Sequence, residues 1–246
     1  MPEYDRLTTL LQRFKLNVTP VQAGHAGLVI ALDGEGAPKS LLFSPIGGIA
    51  TNDKRIAFAA ILDWDKGGNP LFQSLPDLVD CTIAQEPNAQ ALARLICHEA
   101  AADRCGSASV LNRLCEVLVV RILRHLMLQG HAETGLLAGL SDPRLSRAIV
   151  SMHDLPDRLW TADDLAYVAG LSLSRFSELF VEVVGETPMA YLRRWRLILA
   201  RQDLISGDRV SAVAHRYGYG STEGFSRAFR RHYGKTPIQM RREVAA

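Results

Sequence analysis

The chain has no apolar run approaching the ~18 residues that a bilayer-spanning helix needs, so no such helix organises it. Its opening, MPEYDRLTTLLQRF, places acids before its basic residues and lacks a small-residue cleavage site, and the expectation is a protein that stays in the cytoplasm. Cysteine is scarce: Cys81, Cys97, Cys105 and Cys115 show no CxxC spacing and no paired histidines. That implies neither a zinc site nor a disulfide framework. They read as reduced, mostly buried thiols, with a redox sensor using Cys97 and Cys105 as the functional alternative; nothing near them clearly lowers a thiol pKa. No Gly-rich phosphate loop, GxSxG elbow or HExxH is present, so no enzyme signature and no cofactor is indicated. His98, His125, His131 and His153 sit in or beside predicted helices without partners at ligand spacing, and read as solvent-facing or satisfied residues rather than metal ligands.

What is present is the material for two domains. The 246 residues are 48% hydrophobic and 22% charged, the balance of a chain with a real core. Net charge is only +2, but it is unevenly placed: residues 193–246 carry 12 basic and 4 acidic side chains, residues 143–192 carry 4 and 7. A basic end segment suits a polyanion, although a solvated helix surface explains charge alone equally well.

The informative feature is a repeat at an interval of 49 residues. Phe176-Ser177-x-x-Phe180-x4-Gly185-x-Thr187-Pro188 recurs as Phe225-Ser226-x-x-Phe229-x4-Gly234-x-Thr236-Pro237, and upstream Ala166-x3-Gly170 recurs as Ala214-x3-Gly218. Each copy has the length of two short helices and their turn. Thr161 with Asp164 forms an N-capping arrangement. Leu165, Ala166 and Val168 supply the apolar side of a first helix, and Gly170 supplies positive φ at the turn. Ser172 or Ser174 caps a second helix that hides Phe176, Phe180 and Val184 at i, i+4, i+8. Facing outward are Ser174, Arg175, Ser177, Glu178 and Glu182 in the first copy, and Thr222, Glu223, Ser226, Arg227, Arg230 and Arg231 in the second. Such side chains read bases or hold phosphates. Between the copies, Pro188–Leu204 is predicted as a helix of 17 residues, roughly 26 Å at ~1.5 Å per residue. A rod of that length suits two recognition helices entering successive major grooves, which repeat every ~34 Å.

The segment 160–242, with LAYVAGLSLSRFSELF, GETPMAYLRRWRL and VAHRYGYGSTEGFSRAFRRHYGKTP, resembles the DNA-binding domain of the AraC family of bacterial regulators. The resemblance implies base readout by Ser174, Arg175, Ser177, Glu178, Thr222, Glu223, Ser226 and Arg227. It implies phosphate contacts from Arg193, Arg196, Arg230, Arg231 and Lys235. Glu178 and Glu182 depart from the family's usual basic or neutral polar face. Glu178 is therefore read either as an acceptor for cytosine N4 or as part of a unit that mainly orients, with the second copy supplying the electrostatic attraction.

Upstream the pattern changes. Leu16–Ala23, Gly27–Leu32, Ser40–Ser44 and Arg55–Trp64 read as strands; 89–102 and 110–129 read as two helices, with Leu111, Leu114, Leu118, Ile122 and Leu126 in a stripe. With GNPLFQSLPDLV (68–79), ADRCG (102–106), RLCEVLVVRILRHLM (113–127) and GLLAGLSDPRLSRAIVSMH (135–153), this is similar to the cupin-like sensor domain of one AraC branch, which ends in a helical hairpin used for dimerisation. A small barrel wants about eight strands, and five or six can be placed between Leu16 and Ile83; the strands the family supplies between Gly27 and Ser40 are missing. The only histidine in this stretch, His25, offers no HxH metal pair, which disfavours cupin enzyme chemistry.

The reading is thus an α+β protein: residues 1–140 a small, reduced cupin-like β-barrel with a helical hairpin, residues 141–246 an all-α domain of two helix-turn-helix units joined by a linker helix. The implied partners are double-stranded DNA, a second copy of the chain, a small-molecule effector and RNA polymerase, without a membrane. A constitutive DNA-binding dimer that has lost sensing is the alternative.

Overall fold

The computed structural model describes residues 5–22, 24–64, 69–102, 104–129 and 134–245. Its contacts divide the chain into two compact units, one of residues 14–133, the other of residues 134–246 together with 1–13. Short helix α1 (Thr8–Arg13) thus belongs with the C-terminal unit. Of the expected segments, Ala23, Gly68, Asp103 and His131 lie outside the described residues.

The first unit holds strands β1 (Asn17–Pro20), β2 (His25–Ala26), β3 (Leu28–Leu32), β4 (Pro38–Phe43), β5 (Ile49–Ala50), β6 (Ile56–Asp63) and β7 (Val79–Thr82), then helices α2 (Pro87–Ala102) and α3 (Ser107–Gln129). All pairings are antiparallel: one sheet runs β1-β6-β3-β4-β7 and a second pairs β2 with β5. Central β3 is a continuous apolar run whose Leu28, Val29 and Ile30 are buried, as a strand covered on both faces requires. β6 buries Phe58, Ala59 and Ala60 in a row and alternates only beyond them, with Ile61 exposed and Leu62 buried. β3 passes to β4 through a tight turn in which the Asp33 carboxylate accepts from the Glu35 and Ala37 amides at 2.9 Å. No strand is therefore inserted between Gly27 and Ser40 beyond β3 and β4 themselves.

The helical pair is held to the sheet by polar clamps. Asn112 accepts from the Val18 amide at 2.8 Å and donates to the Leu16 carbonyl at 3.0 Å, which fixes α3 against β1. On α3, Leu111, Cys115, Leu118, Val119, Ile122 and Leu126 are buried; Leu114, expected in the same stripe, is half-buried because it sits at the stripe's edge. Three strands lie outside the four segments named from the sequence. β2 and β5 have two residues each, and β7 (VDCT) alternates over only four, too few for periodicity to register.

The second unit is helical: α4 (Leu136–Ser141), α5 (Leu145–Asp154), α6 (Ala162–Ala169), α7 (Leu173–Val184), α8 (Pro188–Ile205), α9 (Val210–Arg216), α10 (Thr222–Tyr233) and α11 (Pro237–Ala245). The expected boundary at 140/141 differs from the division at 133/134, because α4 buries Leu136, Leu137 and Leu140 against α5 and α7. Gly139 makes that crossing close. A Cβ there would stand 2.6 Å from Ile149 Cδ1 and 2.8 Å from Val184 Cγ2, inside any ordinary van der Waals contact. α8 is the axis of the unit, packing on α6 and α7 at one side and on α9, α10 and α11 at the other. At its centre lies His153, hydrogen-bonded through Nε2 to the Tyr191 hydroxyl and 4.1 Å from the Trp195 ring.

Candidate nucleic-acid interface

The two halves of the repeat fold by the same local rules. In the first, Thr161 accepts from the Asp164 amide while Asp164 accepts from the Thr161 amide, a complete capping box at the start of α6. Gly170 ends α6 at φ 72°, a region costly for side chains with a Cβ. Ser172, rather than Ser174, caps α7 by accepting from the Arg175 amide. In the second half Ser221 caps α10, and Gly218 turns the chain at φ 75°. Behind each turn the backbone repeats: the Leu171 amide donates to Ala166 at 3.0 Å, and the Tyr219 amide to Ala214 at 3.0 Å. Phe176, Phe180, Phe225 and Phe229 are all fully buried, with ring pairs 5.6 and 5.5 Å apart. Burying two such rings per copy, each about 1.5–3 kcal/mol, fixes which face of α7 and of α10 is left for solvent.

That outward face carries the residues singled out from sequence. On α7, Ser174, Arg175 and Glu178 are exposed and Ser177 is half-buried. The three exposed groups engage one another: Ser174 donates to Glu178 at 3.3 Å, and Arg175 lies 3.9 Å from its other oxygen. Glu178 thereby neutralises the one cation of its face. On α10, Glu223, Arg227, Arg230 and Arg231 are exposed, with Thr222 and Ser226 half-buried. Among the described residues no carboxylate pairs with Arg227, Arg230 or Arg231. Lys235, just beyond α10, is exposed as well. Positive potential is therefore concentrated on the second helix pair.

α8 contributes unequally. Arg193 is exposed, whereas Arg196 is half-buried and serves the fold. Its Nε donates to the Pro156 carbonyl and its Nη2 to the Arg158 carbonyl, both at 2.7 Å, so two of its five N–H groups are used within the fold and Nη1 is among those left to meet a phosphate. Arg194, between them, is bound to Glu186 at 2.6 Å. The family resemblance implied a phosphate contact for Arg196, but the carbonyls that occupy part of it lie 40 and 38 residues away. Tyr219 was missed altogether; its one signal was a tyrosine where the first copy has Leu171.

All four cysteines are free thiols, Cys81 and Cys115 buried and Cys105 exposed. Burial pushes the Cys97 thiol up to about 11 and Cys115 up to about 12, which suppresses the thiolate needed for redox chemistry.

This arrangement, a capped helix, a left-handed glycine turn and a second helix with one polar flank, defines a helix-turn-helix protein. A helix-turn-helix domain family matches residues 165–243, and a cupin family matches residues 5–128. An AraC-like transcription regulator of Streptomyces lividans is 39% identical over 139 residues, covering 56% of this chain and 46% of that protein. The transcriptional regulator AlkR of Acinetobacter baylyi is 30% identical over 181 residues, covering 72% of this chain and 59% of that protein. A solved AraC-type regulator from Chromobacterium violaceum aligns at 30% identity and a TM-score of 0.40 over 42% of this chain and 93% of its own. The chain belongs to the AraC family of transcriptional regulators, in the branch with a cupin N-terminal domain. These relatives are regulators, not enzymes; the chain spans about half the length of the curated relatives it matches.

Proposed function

We propose that the chain is a cytoplasmic, homodimeric transcription regulator that binds a promoter through two helix-turn-helix units, α6–α7 and α9–α10. Each sets its second helix in a major groove. The observation that carries this reading is the duplicated burial of Phe176/Phe180 and Phe225/Phe229 behind outward polar faces. α8, 18 residues and about 27 Å long at ~1.5 Å per residue, holds the units at a spacing suited to adjacent groove turns. Arg227 reads bases, with Thr222, Glu223 and Ser226 beside it; Ser174, Arg175, Ser177 and Glu178 form the weaker first reader. Arg193, Arg230, Arg231 and Lys235 hold phosphates, and Arg196 does so with the N–H groups that the Pro156 and Arg158 carbonyls leave over. RNA polymerase is the downstream partner.

Residues 14–133, a cupin domain with its α2–α3 hairpin, act as dimerisation module and sensor of a small molecule. Val110 and Val117, exposed one heptad apart on α3, supply an apolar strip for a second copy. A constitutive DNA-binding dimer is the competing reading.

In vitro selection of duplex DNA by the full chain tests DNA recognition. Arg227→Ala should then cost about 1–3 kcal/mol and relax preference at one base pair. An unchanged site profile rejects base reading by Arg227.

A further inference from the structure

Between α8 and the α9–α10 turn lies a cleft of about 140 Å³, lined by Met189, Leu192, Arg193, Arg196, Gly218 and Tyr219 among others. Three features set it apart from an ordinary packing gap. The Tyr219 hydroxyl is shielded from solvent and has no hydrogen-bond partner, a costly state for a buried donor. The Arg196 guanidinium is held rigid by two backbone carbonyls, with Nη1 left over. The floor is bare: a Cβ at Gly218 would stand 3.6 Å from that Nη1.

The internal repeat shows that the fold does not need the hydroxyl. At the matching turn of the first copy, with the same backbone bond, the residue is Leu171. Where the first copy has an apolar side chain, the second carries a tyrosine that lines the cleft with Arg193 and Arg196 and whose hydroxyl has no partner. The fields of Arg193 and Arg196 both reach Tyr219. The carboxylate whose field reaches Arg196 is that of Asp157, and it makes no ion pair with it.

We propose that this cleft binds a phosphate group, or a like tetrahedral oxyanion, with the Tyr219 hydroxyl, Arg196 Nη1 and Arg193 as its donors. All three donate and none is an acceptor bound to accept, which selects an anion over a neutral ligand. A water needs about 10–15 Å³ of such space, so the cleft has room for several waters or for one phosphate and part of its hydration. The phosphate comes either from the DNA backbone, in which case the site rests on the proposed DNA binding and extends it, or from free solution.

The test uses the full chain and inorganic phosphate, titrated at constant ionic strength against chloride and followed by melting temperature and ³¹P line width. The site predicts saturable binding and a rise in melting temperature with phosphate. Tyr219→Phe should weaken phosphate about tenfold, as loss of a hydrogen bond to a charged group does, without lowering stability in chloride. Arg193→Ala should weaken it likewise, and Arg113→Ala, on α3, should not. Displacement of bound phosphate by duplex DNA, with weaker DNA binding by Tyr219→Phe, assigns the site to the DNA backbone. Phosphate affinity unaffected by DNA assigns it to a free anion. Absence of saturation, or equal phosphate affinity in wild type and Tyr219→Phe, overturns the inference. DNA affinity measured on the same samples separates the two ideas: normal DNA binding without a phosphate effect sinks this site alone, and phosphate binding without DNA binding sinks the proposed function alone.

Discussion

Acid should loosen the helical unit through one residue, His153. It is 2% exposed, hydrogen-bonded to Tyr191 and packed on Trp195. Burial first, and the positive charge of Arg194 second, bring its pKa down to about 3. The unfolded chain takes up that proton near the ordinary value of about 6.5, so the folded state binds fewer protons throughout the interval between the two. Stability from this group is complete above pH ~6.5 and falls with pH by about 1.4 kcal/mol per unit until the folded pKa is reached. Between pH 8 and pH 5 the loss is about 2 kcal/mol, which at ~1–3 kcal/mol per molar of urea lowers the midpoint by about 1 M. His232, also lowered by partial burial, acts in the same direction. The carboxylates Asp53 and Asp142, paired with Arg55 and Arg144, and Asp164, hydrogen-bonded to Thr161, all lowered, lose their contribution only below their ordinary value near 3.8. Urea midpoints from pH 8 to pH 4.5 for wild type and His153→Gln isolate the effect, because the amide stays neutral. The variant should show a flatter profile than wild type. Parallel profiles would refute the assignment.

Three further outcomes follow from the packing and the charge distribution. Gly139→Ala gains about 1 kcal/mol of helix propensity but forces Ile149 and Val184 aside, at about 1–3 kcal/mol, so calorimetry should show net destabilisation that Val184→Ala relieves; a stabilised single variant would mean the α4 crossing is looser than described. Gly218→Val places a β-branched residue at φ 75°, costing about 1–2 kcal/mol and lowering amide-exchange protection of α9 and α10 first; uniform protection would contradict the turn's strain. Arg230→Ala should weaken binding to all duplex sequences alike and reduce the slope of log affinity against log salt by about 1, and an unaltered slope would exclude a phosphate contact there.

Sequence exposed the second unit more fully than the first for a physical reason. Caps, left-handed glycines and buried phenylalanines are local requirements, each written within a dozen residues, and the repeat states them twice. Thr161, Gly170, Gly218 and the four phenylalanines could therefore be assigned in advance. What stayed hidden depends on chain segments far apart. Arg196 reads as a surface cation until the Pro156 and Arg158 carbonyls are brought to it. α1 reads as the start of the N-terminal domain until Arg6 reaches the Leu140 carbonyl at 3.1 Å and Gln202 donates to Arg13 at 3.2 Å. The two-residue strands β2 and β5 exist only as partners of each other.

Hydroxyl-radical footprinting of the full chain on a duplex recovered by selection addresses the central claim most directly. Two helix pairs presenting α7 and α10 from a common α8 predict two protected tracts on one face of the DNA, about one helical turn or 10 base pairs apart, for each bound chain. The tract beneath α10 should be the more salt-sensitive. One tract, or no selected sequence at all, would contradict the account.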